Sequence, residues 1–190
     1  PYMPQGFEYP RDPDGRPLKL LAQINFADVP PLPDYPDAGI LQFFISDDID
    51  SRKQVWGLQF YSKRPYDAKA QFELMQSQEY FRVVWHESVV ENEKELLRKV
   101  PAGPEGMLPV VDEAKLTFAA GTSYPGPADY RFGKVFGGNG WDFFDQYGDR
   151  AESVAVRYSS HVTVRSLAWI GGYADFSQWD PREHAPDEDW

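Results

Sequence analysis

Two short apolar runs, separated by a segment rich in proline and aspartate, constrain the fold of this chain more than any other feature. Residues 18–27 read LKLLAQINFA and residues 40–46 read ILQFFIS, and both runs alternate with a period of two. This period is typical of a strand with one buried face. The connection at residues 29–38 contains four prolines and cannot form the interior of a helix. We therefore predict two strands that lie side by side in one sheet.

Each predicted strand carries an amide near its middle, at Gln23 and at Gln42. Strict alternation places Leu20 and Ala22 on one face of the first strand, and Gln23 and Asn25 on the other. A buried amide needs partners for both its donor and its acceptor, and leaving it unpaired is costly. The two glutamines therefore either tie strands or loops together or face water on an open sheet.

Weaker patterns in the next part of the chain predict further short elements. Alternating side chains predict strands at residues 55–61, 81–90 and 115–120. Residues 65–80 favour a helix with Asp67 as its N-cap.

The last third of the chain changes to apolar residues at three- and four-residue spacing. This spacing predicts two short helices within residues 128–150, interrupted by the glycine-rich residues 137–140. Residues 154–164 fit a strand or a helix. Taken as a whole, the chain predicts an α+β fold, with a β-rich mixed or antiparallel sheet structure, a few short helices, and a single domain over residues 1–190.

Charge and composition limit the classes of partner. Nineteen lysines and arginines against thirty aspartates and glutamates give a net charge of −11. Because such a surface repels nucleic acid and anionic membranes, we expect neither as a partner and favour a basic protein instead. The chain has no cysteine, which excludes disulfides and thiolate chemistry. No apolar run approaches the roughly 20 residues of a membrane span, and we expect a cytoplasmic location.

The acidic segment SDDIDS, residues 46–51, is a candidate metal site. Hard cations such as Ca²⁺ bind several oxygen ligands, and Asp47, Asp48 and Asp50 could supply three. The glycine and closing glutamate of an EF-hand do not follow. An acidic hairpin turn without a metal is the simpler interpretation, and metal binding is the alternative hypothesis.

Catalytic patterns are incomplete. His86, His161 and His184 show no zinc-ligand spacing. Ser159 and Ser160 adjoin His161, but neighbours along a chain rarely face each other productively, and no GxSxG or phosphate-binding glycine pattern occurs. We therefore predict no catalytic residue and no cofactor, and the sequence favours a protein that is not an enzyme.

The segment GGYADFSQWDPR, residues 171–182, brings paired glycines, an amide, an acid and an arginine close together. One hypothesis is a binding notch for a peptide or small ligand. The other is a structural clasp in which the acid caps a turn and the arginine pairs with a carboxylate. The candidate ligand-binding residues are Gln23, Asn25, Gln178, Asp180 and Arg182.

Four motifs in this order resemble one family: LLAQINFADVP, PDAGILQFFIS, FRVVWHESV and IGGYADFSQWDPR. They are similar to the YwqG-like family, a domain of unknown function. The resemblance implies a β-rich α+β fold with two related halves. Pro1–Pro10 resembles the stretch that follows a Gly-Gly pair near the start of such proteins, and members usually continue beyond the DPR motif into a further strand. We therefore expect a chain trimmed at both ends.

The resemblance implies no reaction, because none is established for the family. Some members are neighbours of secreted-toxin systems, which suggests an immunity-like role. We therefore predict a non-enzymatic protein-interaction module, with immunity-like binding as one form. The alternative is an enzyme or a small-ligand-binding protein with a polar pocket near residues 171–182.

Overall fold

The computed structural model of the chain divides into two compact units, Pro1–Ala120 and Gly121–Trp190. Antiparallel strands and short helices confirm the predicted α+β class. The single-domain boundary over residues 1–190 stays a prediction. The structure describes residues 1–50, 53–61, 63, 65, 67–127, 129–137, 140, 142–162 and 168–173.

A three-stranded antiparallel sheet lies at the centre of the first unit. Its strands are β1 (Lys19–Asn25), β2 (Ile40–Ile45) and β5 (Phe81–His86), in the order β1-β2-β5. The middle strand β2 pairs with both neighbours along its length. The predicted pairing of the two apolar runs is confirmed, and so is a strand at the start of residues 81–90.

A β-bulge breaks the strict alternation predicted for β1. Leu20 pairs with Phe44, but Ala22 pairs with Phe43, so Leu21 is an extra residue between them. Because paired residues point to the same side of a sheet, Leu20 shares its face with Gln23 and not with Ala22. The predicted grouping of Leu20 with Ala22 is therefore wrong.

The single strand predicted at residues 55–61 is also wrong. The chain reverses within it, giving β3 (Gln54–Val55) and β4 (Leu58–Gln59) as an antiparallel pair. Trp56 and Gly57 both have positive φ, at 50° and 92°. Two consecutive residues with positive φ are typical of a tight type I′ hairpin, which overrides the apolar alternation.

The predicted helix after this hairpin is confirmed as α1 (Ala68–Gln76). The Asp67 carboxylate accepts a hydrogen bond from the Ala70 N–H at 3.0 Å, which is the predicted N-cap. A strand at residues 115–120 is wrong, because these residues have neither strand nor helix structure. Leu116 is 44% exposed there, so the alternating pattern has no neighbouring strand or apolar surface to pack against.

Short helices and an aromatic cluster form the second unit. Its helices are α2 (Arg131–Phe136) and α3 (Ala151–Val162), with a 3-10 helix at Phe143–Arg150 between them. The two predicted short helices and the break at Gly137 are confirmed, and the ambiguous residues 154–162 are helical. The cluster contains Phe132, Phe136, Phe143, Phe144 and Tyr158.

None of the helices in the described part of the chain has the length and apolar character needed to cross a membrane.

Candidate functional site

The sheet of the first unit has two faces with different surroundings. The N-terminal segment covers one face, where the Tyr9 and Phe7 rings lie 5.5 and 6.5 Å from that of Phe44. On the same face, the ring of His86 lies 4.9 Å from that of Tyr2 and 5.3 Å from that of Phe7. We call this the clasp face.

Two amides connect the N-terminal segment to the clasp face. The Tyr2 N–H donates to Gln23 Oε1 at 2.6 Å. Gln42 Nε2 donates to the Tyr2 carbonyl at 2.9 Å and to Gln23 Oε1 at 2.8 Å. Gln42 is fully buried, with 0% exposure. The glutamines therefore tie the N-terminal segment to the strands, which was the first of the two interpretations.

His86 completes this network on the third strand. Its Nε2 lies 2.9 Å from Gln42 Oε1, and because that oxygen can only accept, Nε2 must carry the hydrogen. The Tyr2 hydroxyl in turn accepts from the Val90 N–H at 2.8 Å. Burial lowers the pKa of His86, because the charged imidazolium is poorly solvated beneath the two rings. We call Tyr2, Gln23, Gln42 and His86 the amide clasp.

The structure places two of the five predicted ligand-binding residues, and they have different partners. Gln23 belongs to the amide clasp, and Asn25 accepts from the Ala27 N–H at 3.2 Å, which caps the 3-10 turn Phe26–Asp28. Gln178, Asp180 and Arg182 lie outside the described residues. Ligand binding by the five residues stays a prediction.

The start of the glycine-paired segment packs within the second unit. Arg131 forms a bidentate pair with the buried Asp129 carboxylate at 2.7 and 2.9 Å. Its guanidinium also donates to the Gly172 carbonyl at 3.3 Å and lies 4.4 Å from the centre of the Tyr173 ring. The Tyr173 N–H donates to Ser123 Oγ at 3.3 Å. The described part of this segment, residues 168–173, therefore packs against Arg131 and Ser123. The notch and the clasp both depend on residues 178–182, which lie outside the described residues, and both stay predictions.

The acidic segment after β2 is engaged with cations of the chain itself. The Asp47 carboxylate lies 3.7 Å from the Arg16 guanidinium and 3.5 Å from Lys19 Nζ, and Asp48 lies 2.9 Å from Arg16. The Asp50 carbonyl accepts from two backbone N–H groups that follow it. Among residues that the structure describes, no group of three acidic or histidine side chains is placed to hold a metal ion. Metal binding by these aspartates stays a prediction.

The other face of the sheet is apolar, with Ile24 and Ile45 buried and the large side chains along β5 exposed. We call it the open face: Phe43, Phe81, Val83 and Trp85 of the sheet, with Trp56 and Leu58 of the adjoining β3–β4 hairpin. Leu58 is 46% exposed, Trp85 42% and Val83 39%. A groove of about 320 Å³ lies on this side of the molecule, and its lining includes Leu21, Phe43, Trp56, Leu58, Met75 and Phe81.

Several carboxylates lie near Tyr80, at the start of β5. Tyr80 directly precedes Phe81, which lines the groove. The pKa of Tyr80 is raised first by burial and then by the negative charges of nearby Asp14, Asp12, Glu79 and Asp48. These carboxylates lie near the start of β5 and do not line the groove, whose lining includes the charged side chain of Arg82.

Sequence reasoning anticipated that the two glutamines could tie segments together, but it missed their partners Tyr2 and His86, and it missed the open face. The alternation of Phe81, Val83 and Trp85 was visible, but alternation cannot show which face of a sheet is covered. Tyr2 gave no signal at all, because its partners lie 21 and 40 residues away along the chain.

Domain of unknown function (DUF1963) is the family whose pattern matches this chain, over residues 1–190. The chain belongs to this family. No curated protein matches it. Because the description of DUF1963 assigns no activity, the function of this DUF1963 chain has to be argued from the geometry of the two faces.

Proposed function

We propose that this chain is a non-enzymatic protein-interaction module that binds a basic partner protein through the open face. The observation that carries the proposal is the exposure of large apolar side chains side by side on one face of the sheet. Leu58, Trp85 and Val83 are each between 39% and 46% exposed. Contiguous apolar patches of this kind are uncommon on monomers and mark interaction surfaces when they are large.

The size of the groove supports a protein partner. A groove of about 320 Å³ can take one or two large apolar side chains, and a few buried anchors supply most of the energy of a protein interface. Trp56 and Trp85 on the open face belong to the residue type that is most enriched among such anchors.

The charge of the whole chain supports a basic partner. The chain carries a net charge of −11. Complementary charge speeds up the encounter of two proteins and disfavours partners of the wrong sign. We expect binding to weaken as salt rises, because exposed charges are screened at higher ionic strength.

The amide clasp supports a non-enzymatic role for the clasp face. The amides of the half-buried Gln23 and the buried Gln42 are groups that a polar ligand pocket could use, and both are occupied by the backbone of Tyr2. We further propose that the module is of the YwqG-like type and that it acts in the cytoplasm. Its binding would be immunity-like, in the sense that it covers the surface of a basic protein.

One pair of substitutions tests the proposal. Leu58→Glu places a charge on the open face, and Val111→Glu places the same charge at a fully exposed position that does not line the groove. Immobilised wild-type and variant proteins are incubated with an extract of the cells that produce the chain, and retained proteins are identified by mass spectrometry. A basic protein retained by wild type and by Val111→Glu but lost from Leu58→Glu supports the proposal. Equal retention by all three proteins contradicts it.

A further inference from the structure

The outer edge of β5 borders the open face and is available for pairing. β5 is the last strand in the order β1-β2-β5, and no strand in the described ranges pairs with its outer side. The strand has six residues and contains no proline. An unpaired edge of this length presents a row of N–H and C=O groups to other chains.

One hydrogen bond shows which groups point outward. The Val83 N–H donates to the side-chain oxygen of Gln78 at 3.0 Å and so points away from β2. Because backbone groups alternate along a strand, the N–H groups of Phe81 and Trp85 point the same way. Neither forms a backbone hydrogen bond with another segment among the residues that the structure describes.

The other edge of the sheet is protected in ways that β5 lacks. β1 carries a bulge at Leu21 and a lysine at its first position, Lys19, and both features hinder strand addition. In the described part of the chain, β5 has the exposed charge of Arg82 and the Gln78 cap at Val83, but no bulge. To form this cap, the backbone of Gln78 adopts a left-handed conformation with a φ of 52°, which is unfavourable for a residue other than glycine.

Charge argues against a second copy as the occupant of this edge. A symmetric antiparallel pair that places Val83 opposite Val83 also places Phe81 opposite Trp85. It brings Glu79 near Glu87 at both ends, in the bends just outside the strand. Like charges directly opposite each other destabilise a strand pair. A strand with basic residues at both ends fits the same register with favourable charge at each end.

We propose that the outer edge of β5 binds an extended segment of the partner protein as an added antiparallel strand. The segment carries apolar side chains at every second position, beside Phe81, Val83 and Trp85, and a lysine or arginine at each end, facing Glu79 and Glu87. This inference rests on the proposed function, since the added strand extends the open face. Backbone hydrogen bonds hold the segment, and the alternating side chains select it.

Gln78 controls access to the centre of this edge. The incoming strand takes over the Val83 N–H, so the Gln78 side chain must leave it. A variant without the cap should therefore bind the strand more tightly than wild type does.

The test uses a synthetic peptide that spans the positions from Glu79 to Glu87, Lys-Thr-Val-Thr-Val-Thr-Val-Thr-Lys. The control peptide has glutamate at both ends. Binding is measured by fluorescence anisotropy at low salt, and amide hydrogen exchange is followed by NMR. We expect the lysine peptide to bind at least about tenfold more tightly than the control, and to protect the Phe81 and Trp85 amides. Similar binding of the two peptides, or unchanged exchange at these amides, overturns the proposal.

Three variants and one control substitution sharpen the result. Glu87→Lys, at an exposed position, should remove the preference for the lysine peptide. Gln78→Gly should tighten binding about threefold, the value of one modest hydrogen bond. Val83→Pro removes an outward N–H without touching the pairs with β2, and should abolish binding, whereas Val83→Thr keeps the N–H and should bind. If Val83→Pro does not fold, the charge and cap variants decide the question.

Two outcomes separate this inference from the proposed function. If Leu58→Glu loses the natural partner but the lysine peptide leaves the β5 amides unprotected, the function stands and the edge proposal fails. If the protein dimerises in sedimentation experiments with the Phe81 and Trp85 amides protected, the occupant is a second copy and the proposal is wrong.

Discussion

The two faces of the sheet place polar and apolar side chains in opposite ways. The clasp face buries Gln42 completely and places His86 beneath two aromatic rings. The open face, on the other side of the same strands, leaves Trp85 42% exposed and Val83 39% exposed. The clasp face therefore buries polar groups whose hydrogen bonds are satisfied, whereas the β5 side of the open face leaves large apolar side chains exposed to solvent.

This difference indicates separate roles for the faces. A buried polar group is tolerated only when its partners are satisfied, and each polar atom of the Gln42 amide has a partner. Such networks favour one arrangement of the chain over its competitors. Exposed apolar area costs about 25 cal/mol for each Å² that could be buried, so a large open face is a reserve of binding energy. Stability should depend on the clasp face, and binding on the open face.

Gln42→Ala should have the largest effect. It removes the partners of the Tyr2 carbonyl, Gln23 and His86 in one step, and should lower the free energy of unfolding by about 3 kcal/mol. Urea unfolding followed by tryptophan fluorescence measures the change. The control is Gln5→Ala, which removes one exposed hydrogen bond to the Lys94 carbonyl and should cost less than about 0.5 kcal/mol. Equal losses in the two variants would mean that the clasp is not a stabilising network.

Gly39→Ala should come next. Gly39 has a φ of 109°, and an added Cβ would overlap the Trp85 ring and the His86 carbonyl oxygen. We expect a loss of about 2 kcal/mol in unfolding free energy, measured by the same urea experiment. Gly15→Ala is the matched control, because its φ is 80° but no atom lies near the added Cβ. A loss no larger than that of the control would show that Trp85 is free to move away.

His86→Gln should have a smaller effect, visible through pH. Burial lowers the pKa of His86 in the folded protein, whereas the unfolded chain takes up its proton near the ordinary value of about 6.5. Stability is therefore complete above that value, and falls as the pH drops below it towards the lowered folded pKa. Melting temperatures between about pH 7.5 and pH 5 should fall more steeply for wild type than for His86→Gln. Parallel curves would contradict this linkage.

Leu58→Glu should change stability least, by no more than about 0.5 kcal/mol, because Leu58 is 46% exposed. Leu18→Ala gives the contrast, since Leu18 is 1% exposed and its truncation should cost about 2–5 kcal/mol. Thermal unfolding of both variants compares them directly. A large loss for Leu58→Glu would place the open face within the core, and would break the distinction between the two faces.

Local patterns predicted those elements whose causes lie within a few residues. The two runs beside the proline-rich connection form β1 and β2, and the Asp67 cap begins α1 where expected. The break at Gly137 separates the short helices of the second unit. In each case the residues that determine the element lie within the element or next to it. The apolar period, the N-cap residue and the helix-breaking glycine were therefore enough to predict it.

Contacts between distant residues decided the rest. The bulge at Leu21 depends on the register with β2, and residues 115–120 lack the neighbouring strand that their alternation would need. Gln23 and Gln42 were recognisable as amides that need partners, but only the fold supplied Tyr2 and His86, from 40 and 44 residues away from Gln42. A sequence shows which side chains alternate, whereas which face of a sheet is covered depends on where the other segments pack, and packing is a property of the whole chain.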